Sequence, residues 1–71
     1  MNNYRAVRLD NGADKPHTGL IGYFRTAAAA EVAIRAASGR LRRKTGEDTT
    51  HLYAIQFLLA DEWLTSQEIQ A

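Results

Sequence analysis

"HLYAIQFLL", His51 to Leu59, is the most apolar stretch of the chain, and its conformation decides the fold. As a strand it puts Tyr53, Ile55, Phe57 and Leu59 on one face and Leu52, Ala54, Gln56 and Leu58 on the other. As a helix it aligns Leu52, Ile55, Leu59 and Trp63, and for so short a run the period alone does not separate the two. The β-branched and aromatic side chains gather on one alternate face, which favours the strand. With both faces apolar, such a strand is either central and covered on two sides or an edge that meets a second copy.

Upstream, "YRAVRL" (Tyr4 to Leu9) has strand character and is closed by "DNG", while Asp10 to Gly19 holds Asn11, Gly12, Pro16 and Gly19 and reads as a turn or loop. "LIGYF" (Leu20 to Phe24) then returns as a second strand, with Gly22 marking a possible bulge. Thr26 stands before "AAAAEVAIRAA", where its hydroxyl caps the first free N–H groups of a helix rich in alanine. Ala27, Ala30, Ile34, Ala37 and Leu41 recur at spacings of 3, 4, 3 and 4, so the helix runs through Gly39 to about residue 44 and stops at Gly46. An internal glycine costs about 1 kcal/mol relative to alanine, which the burial of Leu41 offsets.

Downstream of the apolar stretch, Asp61 and Glu62 end the strand. Thr65 and Glu68 then form a capping box with Leu64 and Ile69 as its staple, which predicts a short C-terminal turn of helix. The expected architecture is a single small α+β domain over residues 1–71. It runs ββαβ, with the third strand beside the first (order 2-1-3) and the helix on one face. The other face then needs a cover, for which Tyr53, Ile55, Phe57 and Trp63 are the candidate dimer or partner contacts.

Seventy-one residues bury only about 60% of the surface that the unfolded chain exposes. No cysteine supplies a staple, so self-association or a partner is the expected source of added stability, and a homodimer is expected. The start "MNNYRAVRLD" lacks the apolar core of a signal peptide, and no apolar run approaches the roughly 18 residues of a membrane span, which predicts a soluble cytoplasmic protein. The net charge of +1 conceals an asymmetry. Residues 1–44 carry all nine Lys and Arg against three acids, and residues 45–71 carry five acids and no base.

Five of the nine basic residues, Arg35, Arg40, Arg42, Arg43 and Lys44, lie in ten positions at the end of the expected helix. Cations there favour the helix dipole, and Glu31 with Arg35 makes an i, i+4 pair, so a solvated helix end explains the cluster. The same guanidiniums also suit phosphates or an acidic partner, with Tyr4, Tyr23 or Tyr53 as a stacking face where exposed.

No other pattern carries chemistry. His17 and His51 without cysteine make no zinc set, and adjacent Asp61 and Glu62 point apart and cannot share one face as acid and base. Lys15, Gly19 and Gly22 lack the phosphate-loop spacing, and no Ser/His/carboxylate order is recognisable. A core this thin also encloses a pocket with difficulty, so no catalytic residue, cofactor or metal is expected.

In size, absence of cysteine and single-helix layout the chain is similar to small accessory proteins of phages and plasmids, anti-CRISPR inhibitors among them. That likeness is one of general type, and it implies a non-enzymatic module that regulates or inhibits a larger protein or complex. The alternative expectation is a nucleic-acid-binding protein that uses the basic helix end, residues 35–44.

Overall fold

A computed structural model describes residues 2–9, 19–47 and 50–71. The elements are β1 (Tyr4–Arg8), β2 (Leu20–Phe24), α1 (Ala27–Thr45), β3 (Leu52–Leu59) and β4 (Glu62–Gln70). The strands form one antiparallel sheet of order β2-β1-β3-β4, with α1 packed across one face. The fold is thus a small α+β domain. The pairing of β3 with β1 is the expected one, and a fourth strand extends the sheet beyond it.

The helix forms where its signals stand. Thr26 is extended (φ −135°) and its Oγ1 accepts from the Ala29 N–H at 3.1 Å, the bond of an N-cap. After nineteen helical residues the chain leaves through Gly46 at φ 70°, whose N–H donates to the Arg42 carbonyl at 2.8 Å. Gly39 does not interrupt the helix. Ala30, Ile34 and Ser38 are buried, with Ala27, Ala37 and Leu41 half-buried beside them. This stripe meets Ala6, Tyr53, Ile55 and Ile69, and the four with Ala30 and Ile34 form the core.

The C-terminal segment corrects the expectation of a helical turn, because residues 62–70 are a nine-residue strand paired along β3. Two features hid it. The β3–β4 hairpin turns on Ala60 and Asp61, both at positive φ (50° and 64°), a two-residue turn usually announced by Asn-Gly or Asp-Gly. The register also slips between Ile55 and Gln56, because Ser66 is an extra residue in β4. Its hydroxyl donates to the Ile55 carbonyl at 3.3 Å. This bulge turns Leu64 and Ile69 to the same side of the sheet although they are five residues apart, and the same spacing mimics a helical staple. A second slip lies in β2 at Ile21, next to the glycine expected to mark one, and turns Ile21 toward the core.

Paired residues share a face, so the register sorts the side chains. Tyr4, Ala6, Tyr53, Ile55 and Ile69 lie under α1. Arg5, Val7, Tyr23, Ala54, Leu58 and Trp63 lie on the opposite face, which no helix or strand among the described residues covers. The expectation that Tyr53 and Ile55 wait for a partner is therefore overturned. They are 2% and 0% exposed beneath the helix, and Phe57 on the same side is half-buried.

Candidate functional site

The open face of the sheet carries a connected group of side chains at its centre. Arg5 on β1 stands beside Tyr23 on β2 and Gln56 on β3, and Gln56 stands beside Thr65 on β4. The Arg5 Nε donates to Gln56 Oε1 at 2.7 Å, and Gln56 Nε2 donates to Thr65 Oγ1 at 3.2 Å. Trp63 lies across this row. Its ring centre is 4.5 Å from the Arg5 guanidinium carbon and 5.9 Å from the Tyr23 ring, inclined at 44°. Trp63 thereby bridges from an edge strand to the opposite edge, over a cation held in place by an amide.

Around this group the face is mixed, with Glu68 beside Ala54 and Gln70 beside Leu52. Tyr23 is 50% exposed and Leu58, the cross-strand neighbour of Trp63, is 39% exposed. Of the candidate dimer or partner contacts Tyr53, Ile55, Phe57 and Trp63, Trp63 lies on the uncovered face. Arg5 carried no local sequence signal; it was detectable only through the register that sets it beside Gln56.

The basic residues divide into two sets. Arg35 and Arg42, two turns apart, line a groove together with Ser38, Gly39, Thr50 and Gln70, while Arg40, Arg43 and Lys44 are exposed around the helix end. Arg35 lies 3.8 Å from Glu31 with both side chains largely in solvent, a pair that adds little. Two acids of the second half, Asp61 and Glu62, lie away from the cluster. Asp61 and Glu62 sit at the end of the sheet where Tyr4, Phe24 and Phe57 meet, and α1 runs from that end toward the Arg8 end. Arg40, Arg43 and Lys44 make no ion pair among the described residues.

Of the three tyrosines considered as a stacking face, Tyr53 is buried, Tyr4 is half-buried against the core and Tyr23 is exposed. Tyr23 lies on the face opposite α1, so it does not share a surface with the basic helix. His17, Lys15 and Asp48 lie outside the described residues. His51 pairs its backbone with Ala71, at 2.8 and 3.1 Å. Among the described residues no three His, Cys, Asp or Glu side chains gather, and no helix is long and apolar enough to cross a membrane. Comparisons with protein-family models, with curated proteins and with solved structures found no match.

Proposed function

We propose that the chain is a non-enzymatic protein-binding module that regulates or blocks a larger partner by docking an apolar surface of that partner on the open sheet face. The observation that carries this reading is the exposed Tyr23 and Leu58 flanking a Trp63 already fixed by Arg5. A fixed aromatic anchor loses little side-chain entropy on docking, and such residues dominate interface energetics.

The test compares proteins captured from cell extract by the natural chain, by a Tyr23→Ser/Leu58→Glu variant and by an Arg40→Gln/Arg43→Gln variant, each checked for unchanged circular dichroism. The expected result is a partner retained by the natural chain and the arginine variant and lost by the face variant. Loss with the arginine variant alone overturns the reading. So does a homodimer in sedimentation that Leu58→Glu dissociates, since the occupant is then a second copy.

A further inference from the structure

Arg5 brings a half-buried positive charge to the open face of the sheet. Its Nε donates to Gln56 Oε1 at 2.7 Å, and the Gln56 amide donates onward to Thr65 Oγ1 at 3.2 Å. Its guanidinium carbon lies 4.5 Å from the centre of the Trp63 ring. Among the described residues Gln56 is the one side chain that hydrogen-bonds this guanidinium, and no carboxylate pairs with it. A guanidinium has five N–H donors, so the four on the two Nη atoms are left without an acceptor among the described residues. The register makes Arg5 the only base that the four strands turn to this face, because Arg8 stands opposite Tyr53 on the helix side. Glu68, beside Ala54, is the one acid they turn to it.

We propose that Arg5 receives a carboxylate of the docked partner, an aspartate or glutamate side chain set between apolar residues. The inference rests on the docking of a partner at this face and adds what that partner must carry. A partner that covers the exposed Tyr23 and Leu58 also takes water from the Nη groups beside them. A buried charge without a counter-charge is strongly unfavourable, so a wholly apolar partner is opposed by the same residue that fixes Trp63. A backbone carbonyl satisfies an N–H and leaves the charge unmatched. A carboxylate matches both, because its two oxygens accept from two parallel N–H groups in the bidentate pairing that suits a guanidinium. Gln56 prepares the site. By holding Nε it fixes the fork before the partner arrives, so little side-chain freedom is lost on binding.

A polyanion fits less well. A nucleic-acid backbone is gripped by several cations along its phosphates, and the strands offer this face one, with Glu68 on the same surface to repel a further phosphate. A single carboxylate needs only the one.

Nitrogen-15 NMR titration of the whole chain tests this with two end-blocked pentapeptides, leucine-serine-glutamate-serine-leucine and its copy with glutamine in place of glutamate. Alternate side chains of an extended peptide share one side, so each probe sets its central side chain between two leucines. The Arg5 Nε–H, the Trp63 indole N–H and the Tyr23 and Leu58 amides are expected to shift. The glutamate peptide is expected to bind about tenfold more tightly than the glutamine peptide, the difference that a charge-assisted pair makes. Arg5→Gln is expected to abolish this preference. Arg5→Lys, which keeps the charge and loses the fork, retains part of it, and Arg40→Gln, with the same change in charge at the helix end, leaves it intact. Shifts on this face with equal affinity for the two peptides overturn the proposal and leave the docking face standing, as does a preference lost equally in Arg5→Gln and Arg40→Gln. No shift on this face with either peptide, or shifts there with a ten-residue oligothymidylate alone, overturns both readings.

Discussion

Arg5 and Trp63 belong to strands that are not neighbours, yet the guanidinium carbon of one lies 4.5 Å from the ring centre of the other. The contact spans β3, whose Gln56 holds the Arg5 Nε at 2.7 Å. Two forces thus fix one cation: a charge-assisted hydrogen bond to a neutral amide and contact with an aromatic ring. For a half-buried pair the ring contact is worth about 1 kcal/mol.

A double-mutant cycle of Arg5→Met and Trp63→Leu measures that contact directly. Methionine keeps the length of the Arg5 stem and leucine keeps an apolar cover, so each single change removes the attraction without opening the sheet. Urea unfolding should give a coupling free energy of about 1 kcal/mol, and a coupling of zero would show that Trp63 is held by Tyr23 and packing alone.

The β3–β4 turn is a second place where a substitution has a definite sign. Ala60 and Asp61 both occupy the left-handed region, where an L side chain crowds the following carbonyl and costs roughly 1–2 kcal/mol. Replacing them by Asn and Gly keeps the two-residue turn and supplies the residues it favours. The expected outcome of Ala60→Asn/Asp61→Gly is a chain more stable by about 1–2 kcal/mol in chemical denaturation, with the Tyr23 and Trp63 signals unchanged. Destabilisation would mean that the hairpin does not turn there.

The same turn explains how far the sequence disclosed the fold. Thr26, the Ala30–Ile34 stripe and Gly46 are local signals for a local structure, and they located α1 within a residue of its ends. The alternate-face pattern of residues 52–59 announced a strand, which lies inside the sheet between β1 and β4 with one face under α1. β4 escaped because its evidence is non-local. Its turn lacks glycine, and Ser66 shifts the alternation so that Leu64 and Ile69 share a face at a spacing no regular strand allows. Arg5 escaped for a related reason, since an arginine in a strand acquires meaning only from what the register sets beside it. The Arg35 and Arg42 groove was half legible. Helical spacing aligned the two arginines with Ser38, but Thr50 and Gln70 arrive through tertiary packing.

Gly39 offers a stabilising substitution inside the helix. A Cβ there would meet only Arg43 Nη1, at 3.5 Å, an ordinary contact. Gly39→Ala should therefore raise stability by the propensity difference, about 1 kcal/mol. For a domain of this size that corresponds to a rise of roughly 4–8 °C in the melting temperature. An unchanged or lower melting temperature would indicate that the helix needs flexibility at this point.

Gly19 and Gly46 are required for different reasons, and paired substitutions separate them. Gly46 sits at φ 70° with nothing within 4 Å of a would-be Cβ, so its constraint is conformational. Asparagine tolerates the left-handed region, so Gly46→Asn should lose less than about 1 kcal/mol, whereas the β-branched Gly46→Val should lose distinctly more. Gly19 needs no unusual φ. Its carbonyl accepts from the Arg8 N–H at 2.8 Å, and a Cβ would run into the Arg8 carbonyl oxygen. Here no residue type helps, because any side chain begins with that carbon. Gly19→Ala and Gly19→Asn should each lose about 1–3 kcal/mol as the β1–β2 pair is forced apart, with amide exchange faster at Arg8 than at Tyr53. If asparagine restored stability at Gly19 as it does at Gly46, the close approach of the two strands at this point would be wrong.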